Sequence, residues 1–466
     1  MPTLIKDLIP KKIRTALVNN IPEYWTKSAA FRKTYRFLEK SEFWDFGQIQ
    51  AYQFQKLKEI ISHAYNTVPY YKREWDKIGF KPDDIKVFED IRIIPLVTKD
   101  IIQSNINEFI SKQYKKEDLQ VIYSGGSTGV PAIYYNEKNN NEIERAFMYS
   151  QWKRVGFDVY KINRMAILRG LVPSHGDYEI VGNKLILSSY LNQTSKLKEY
   201  FDILQKFNPD YIHAYPSIIF ILAKYIVDNK LIVNMPRLKA ILCGSENIYS
   251  AQKEIIQKAF GVRVYTWYGH SERGCLAGEC EISSLYHIFP QYGYAEVLDT
   301  QGNEVLGKDG KGELVVTSFN RKAMPLIRFK TEDIIITTSE KCSCGRNFMV
   351  FKDVEGRTQE YLVTKKGKLI PGNVLLPYDV LNILDHIAQY QFYQEKKGYC
   401  KFLVLKKPGY TSLDEENILR ELRKELTDDM QIEIEYVDEI PRTPSGKHMF
   451  LRTELKPWLE QFKEEG

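Results

Sequence analysis

No run of 18 consecutive apolar residues occurs anywhere in the 466-residue chain, and its N-terminus has no continuous apolar core of the signal-peptide kind. Neither membrane spanning nor secretion is therefore expected, and the chain is read as cytoplasmic. Cysteine is scarce: there are six, two of them in Cys342-Ser343-Cys344. In a chain without an export signal they point to thiols or a metal rather than to disulfides. An excess of one charge sign is also lacking. The 66 basic and 60 acidic residues leave a formal +6 with no dominating basic block, so nucleic acid is not an expected partner, while small anionic substrates are compatible. Internal repeats and low-complexity tracts are absent.

What is present is the composition of a globular protein: 43% hydrophobic and 27% charged residues, with 31 Tyr and 23 Phe arguing against disorder. The length suggests two domains or more. Leu4 to Arg14 mixes apolar and basic residues as a membrane-surface helix does, but Pro10 interrupts it, and a docked helix is the preferred reading. Helical spacing runs through the first 90 or so residues, notably Ala51 to Ala64, and breaks at Val68-Pro69. From about 119 the texture becomes α/β. The β-prone runs Arg164 to Leu168, Leu238 to Leu242 and Val262 to Tyr265 alternate with helical stretches such as Ser195 to Phe207 and Ser250 to Phe260. Strands and turns dominate 287–355, with turn signals at Thr300 to Asn303 and Lys308 to Gly312. From about 361 a separate unit is expected, with strands at Tyr361 to Val363, Cys400 to Leu405 and Gln431 to Val437 and a helix at Asp414 to Leu426.

The densest chemical signal is Tyr123-Ser124-Gly125-Gly126-Ser127-Thr128-Gly129-Val130-Pro131, in which glycines free backbone N–H groups and hydroxyls add donors suited to phosphate. It fails the Walker A template, because Val130 or Pro131 stands where the second glycine belongs. Alone, such a run is more often a surface turn. Five more segments carry reactive residue types. Cys243-Gly244-Ser245-Glu246 ends an apolar run. Tyr268-Gly269-His270-Ser271-Glu272 offers an aromatic face, a close backbone approach and a carboxylate. Arg328 to Asp333 ends in a carboxylate suited to two neighbouring hydroxyls, Glu355-Gly356-Arg357 follows, and Pro441 to Lys447 is a rigid turn presenting one lysine. Individually each has a bland alternative: a solvated turn, a core aromatic, a surface ion pair or a linker.

In this order the segments resemble the adenylate-forming superfamily, and more narrowly its phenylacetate-CoA ligase and CapK branch; the resemblance runs the length of the chain, including Val68 to Tyr71 and Ile94 to Lys99. It implies an α/β fold with a large N-terminal adenylation domain, 1–357, that has a β-rich part, and a small mobile α+β lid, 361–466. It implies ATP phosphates at Ser124, Gly125, Gly126, Ser127, Thr128 and Gly129. Further nucleotide contacts are implied for Gly244, Ser245, Glu246, Gly269, His270, Ser271 and Arg328. Tyr268 is implied to stack on adenine, Glu272 to contact Mg2+ and Asp333 to hold the ribose. Arg357 closes the large domain, Glu360 stands at the hinge, and Lys447 is implied as the mobile catalytic lysine. The sequence departs from the family's pattern in three places: Val130 where many members carry lysine, Ser271 for threonine and Glu332 for glycine.

The implied activity is ATP- and Mg2+-dependent conversion of a carboxylic acid to an acyl-adenylate, followed by acyl transfer, with coenzyme A as the first acceptor considered. A CapK-like transfer to a sugar or amine is the alternative within the class. A catalytically degenerate scaffold and a zinc-dependent nucleic-acid module are the rivals outside it. Tyr215, Ser245 and His270 are candidates for the acid pocket, and a homodimer is carried as an open assembly state. Cys280, His287, Cys342 and Cys344 would complete a tetrahedral structural Zn2+ site, with Cys275 as an alternative to Cys280 and unrelated buried thiols as the competing reading.

Overall fold

The computed structural model describes residues 21–123, 132–169, 173, 176–188, 194–357, 361–371, 386–426, 429–441 and 449–455. The expectations for Leu4 to Arg14, Ser124 to Pro131, Glu360 and Lys447 lie outside them.

The chain enters through α1 (Glu23–Thr26), α2 (Ala29–Ser41) and α3 (Phe46–Thr67). Ser28 Oγ caps α2 by accepting the Phe31 N–H at 3.2 Å, and a capping box between Asp45 and Gln48 starts α3. Helix α3 stops where the sequence breaks. Val68 precedes a proline, which disfavours helical backbone, and takes φ −105°, ψ 115°. Pro69 then opens α4 (Pro69–Lys77) at the position where its missing N–H costs nothing. After α5 (Lys99–Ser104), β1 (Gln120–Tyr123) and β2 (Ile133–Asn136) pair antiparallel with Tyr123 opposite Ile133, which brings the two flanks of the Gly/Ser segment side by side.

The α/β region follows: α6 (Asn140–Trp152), β3 (Met165–Leu168), β4 (Tyr178–Val181), β5 (Lys184–Leu187), α7 (Thr194–Phe207), β6 (Tyr211–Ala214), α8 (Pro216–Asp228), β7 (Ala240–Cys243), α9 (Ser250–Phe260) and β8 (Arg263–Gly269). The β-rich part adds β9 (Leu276–Glu279), β10 (Tyr286–Ile288), β11 (Gly293–Leu298), β12 (Gly310–Ser318), β13 (Phe329–Thr337) and β14 (Val350–Arg357). All twelve strands from β3 to β14 form one sheet in the order β11-β12-β13-β14-β10-β9-β8-β7-β6-β3-β5-β4.

Within it β8, β7, β6, β3 and β5 run parallel. Of these, β3 and β7 read as unbroken apolar runs because both faces are covered. Alternate residues serve two cores. Ala166, Leu168, Ile212, Ile241 and Cys243 pack with the apolar faces of α7, α8 and α9. Met165, Ile167, Tyr211, Ala240 and Leu242 instead meet Tyr24, Phe31, Tyr149 and Trp152 of α1, α2 and α6. Residues of α3 and α4, among them Leu57, Ile61, Tyr71 and Trp75, share a third core with the β-rich part.

From 361 a second body begins: the small ladder of β15 (Tyr361–Val363) and β16 (Leu369–Pro371), then β17 (Ile387–Lys396), β18 (Tyr399–Lys406), α10 (Ser412–Glu425), β19 (Gln431–Tyr436) and β20 (Leu451–Thr453). Its four-stranded sheet, β19-β18-β17-β20, packs Phe392 and Phe402 against Ile418 and Leu422 of α10. The parallel β18–β19 pair is joined by α10, as such a pair requires.

Candidate active site

Strands β3, β6 and β7 end in register beside the middle of β8. Leu168, Ala214, Cys243 and Thr266 form one row across the sheet. The next residue on each chain is Arg169, Tyr215, Gly244 and Trp267, so three side chains and one glycine are delivered to the carboxyl edge, where open α/β sheets bind ligands. Trp267 leans across Gly244: a Cβ there would lie 2.4 Å from the indole, and only glycine admits this approach. Ser245 follows with φ 71°, a left-handed conformation uncommon for a side-chain-bearing residue. The Arg169 guanidinium donates to Ser245 Oγ at 2.8 Å and to His213 Nε2 at 2.5 Å. Burial, and then the neighbouring Arg169 charge, push His213 well below the ordinary histidine range, so it is a neutral acceptor.

One residue further along β8, Tyr268 donates its hydroxyl to Asp333 Oδ2 at 2.5 Å, uniting side chains 65 residues apart. Backbone register sets Asp333 opposite Arg357 of β14. Glu332, which occupies the family's glycine position, has φ 65°, so this site demands the left-handed backbone that glycine enters without steric cost. Beyond Gly269 the chain turns. The Cys275 N–H donates to His270 Nε2 at 3.2 Å, so the ring proton sits on Nδ1, 3.1 Å from Glu272 Oε2. Both side chains are buried. Ser271 lies in the same turn.

Two expected nucleotide contacts are engaged within the fold. The Arg328 guanidinium grips both carboxylate oxygens of Glu296 at 2.8 and 3.0 Å and donates to the Ile94 carbonyl at 2.8 Å. Glu246 Oε2 accepts the Ser217 N–H at the start of α8 at 3.0 Å. Arg169 is the residue the motif reading misses. A signal existed, since it is a charged residue directly after a fully buried strand.

Away from this edge, Cys280, His287, Cys342 and Cys344 bring one ligand atom each to within 4.8 Å of one another. The Cys280–Cys342 sulfur separation is 3.5 Å and Cys344 Sγ lies 3.6 Å from His287 Nε2. Tetrahedral zinc with bonds of about 2.3 Å to sulfur spaces its ligands by about 3.8 Å, so the set fits. Burial first, with Arg154 and Arg346 adding to it, pushes His287 down to about 3, leaving its imidazole neutral as a ligand must be. Cys275, weighed as an alternative, is buried in the large core instead. Arg346 binds Glu281 at 2.8 and 2.9 Å and Glu42 at 2.6 Å, tying the cluster to the end of α2.

Among the described residues, no helix is long and apolar enough to cross a membrane. Residues 362–454 match the family described as the CapK C-terminal domain. The chain is 25% identical to the phenylacetate-coenzyme A ligase of Thermus thermophilus over 84% of its own length and 86% of that protein. It is 27% identical to Protein CapK of Staphylococcus aureus over 87% of its length and 89% of that one. Its fold superposes on crystalline 2-hydroxyisobutyryl-CoA ligase, in complex with an adenylate in the postadenylation state, with TM-score 0.69 and 16% identity, covering 92% of this chain and 94% of that one. The expected architecture, a large α/β unit with a β-rich part and a smaller C-terminal unit, is thus the observed one. Over most of its length the chain is similar to the phenylacetate-CoA ligases and to CapK, and its C-terminal unit matches the CapK C-terminal domain.

Proposed function

We propose that this protein activates a carboxylic acid with ATP and then passes the acyl group to coenzyme A. The observation that carries the reading is the Tyr268–Asp333 bond, with His270 and Glu272 on the turn just beyond it, because separate sequence segments supply an aromatic ring, a diol acceptor and a metal-binding carboxylate at one sheet edge. In the step proposed, a carboxylate oxygen attacks the α-phosphorus of ATP and the bond to pyrophosphate breaks. Two anions must approach, so cationic groups set the rate. Mg2+, held at Glu272, would supply part of that charge. Lys447 would supply the rest, with Arg357 beside it, and Ser124 to Gly129 would cradle the phosphates. Just past Lys447 in sequence, the Phe450 ring packs on Tyr249, at the start of α9, with centroids 6.0 Å apart, which supports the lysine's reach. We assign 1–357 and 361–466 as the two domains, Glu360 as the hinge and Zn2+ to the Cys280, His287, Cys342 and Cys344 set.

A second acceptor is favoured by a specific observation: the C-terminal unit matches the CapK family, so a sugar hydroxyl or amine stands as the alternative to coenzyme A. Carboxylate-dependent ATP–pyrophosphate exchange across a broad acid panel tests the reading, with Lys447→Ala expected to lower it by orders of magnitude. Silence with every acid overturns activation. Exchange in which coenzyme A captures no acyl group moves the reading to the sugar or amine acceptor.

A further inference from the structure

Arg169 is packed at the carboxyl edge between π faces and neutral acceptors. Its guanidinium carbon lies 5.2 Å from the Tyr215 ring centre and 5.7 Å from that of Trp267, and it hydrogen-bonds to His213, Ser245 and the Tyr215 side chain. None of these carries negative charge. No described carboxylate stands at ion-pair distance; Glu246, whose charge reaches Arg169, is held by the α8 N–H of Ser217. Arg169 is half-buried; of the fully buried arginines among the described residues of the large unit, two have carboxylate partners and one is held by carbonyl groups. Arg328 has Glu296, Arg346 has Glu42 and Glu281, and Arg321 donates to three carbonyl oxygens, of Met324, Glu272 and Tyr135. Burial lowers the Arg169 pKa from its ordinary value, with Tyr215, Cys243 and Glu246 opposing the shift.

A half-buried guanidinium with no described carboxylate at ion-pair distance is placed to receive an anion from the cleft. Arg169, His213 and Trp267 project from one face of the sheet edge, beside Gly244, whose missing side chain leaves that approach open. In the reading above this is the acid side of the site, so the inference rests on that reading. We infer that the acid activated here carries a second anionic group, a carboxylate or phosphonate at its far end, that pairs with Arg169 while the first carboxylate is adenylated. His213 and Ser245 hold the guanidinium plane in place, and the aromatic rings keep it rigid. The substrate class is therefore a dicarboxylic acid or its phosphonate counterpart, rather than a plain aryl or alkyl acid.

The test uses acyl-sulfamoyl adenosines, non-reactive mimics of the adenylate, bound to the full chain by calorimetry. Dicarboxylic acyl groups from malonyl to adipyl are compared with methyl-terminated groups of equal length, and phosphonate-terminated ones form a second arm. At one length or more, the wild type is expected to bind an anionic member at least about tenfold more tightly than its methyl match. Arg169→Met should collapse that ratio toward one and Arg169→Lys should retain part of it; the ratio is insensitive to the fraction folded. The two arms decide between carboxylate and phosphonate. A ratio at or below one at every length, or a ratio unmoved by Arg169→Met, overturns the inference alone. Absence of binding by every adenosine mimic overturns it together with the adenylation reading.

Discussion

Tyr268 and Asp333 approach through one short hydrogen bond, and the bond joins a neutral phenol to a buried carboxylate. Tyr268→Phe keeps the ring and removes the donor, so stability should fall by roughly 1–3 kcal/mol, as for a lost bond to a charged group. The KM for ATP in the exchange assay should rise as Asp333 loses its orientation, and urea denaturation checks the first effect. Glu332 offers a complementary case. Its left-handed backbone costs a side-chain-bearing residue about 1–2 kcal/mol, whereas glycine loses roughly 0.5–1 kcal/mol of chain entropy. Glu332→Gly should therefore change stability by between about 0 and about 1.5 kcal/mol, in the stabilising direction. Removing a negative charge beside Asp333 should also lower the KM for ATP. A clear loss of stability would show that the side chain contributes more than the backbone costs.

At the scale of elements, α1 is held to α6 and β5 through one carboxylate. Glu23 meets Lys184 at 2.9 Å, Lys27 at 2.8 Å and the Tyr149 hydroxyl at 2.5 Å. Burial by itself would raise its pKa, but the two lysines and these hydrogen bonds outweigh burial and hold it at about 2, against an ordinary 4.5. The folded state thus binds this proton less readily than the unfolded chain. The resulting stability, roughly 3 kcal/mol, is fully present above the unfolded value and is lost as pH falls from about 4.5 toward 2. Thermal melts between pH 2 and 6 should fall more steeply for the wild type than for Glu23→Gln. At the end of β7, Gly244→Ala would drive a methyl group into the Trp267 indole. Repacking should cost about 1–3 kcal/mol and shift acid preference in the exchange panel, because Trp267 walls the edge beside Arg169.

Across the whole molecule, the cysteine–histidine cluster joins β9 and β10 to the chain leading into β14, and Arg346 extends the tie to α2 through Glu42. A metal there would stitch the β-rich part to the N-terminal helices. Elemental analysis should find one zinc per chain, lost in Cys342→Ser, and strong chelation should lower Tm by about 5 °C or more, with recovery on adding zinc. Metal-free protein with an unchanged melt would assign the four residues to packing alone.

The sequence by itself determined the elements and the order of the motifs, because both are encoded locally. The Val68-Pro69 break is set by proline sterics, the buried runs at Met165–Leu168 and Ala240–Cys243 by apolar texture, and α9 by helical spacing from Ser250 to Phe260. The identity of Tyr268, Asp333 and the thiol set was legible for the same reason. Which partners meet was decided by tertiary structure. That Arg328 turns to Glu296, that Glu246 caps α8, that Cys275 goes to the core and that Arg169 faces the sheet edge all depend on strand order and on which side of the sheet each residue falls. Such contacts span tens to hundreds of residues. Their energies come from burial and charge pairing across the sheet, quantities that no local stretch of sequence contains.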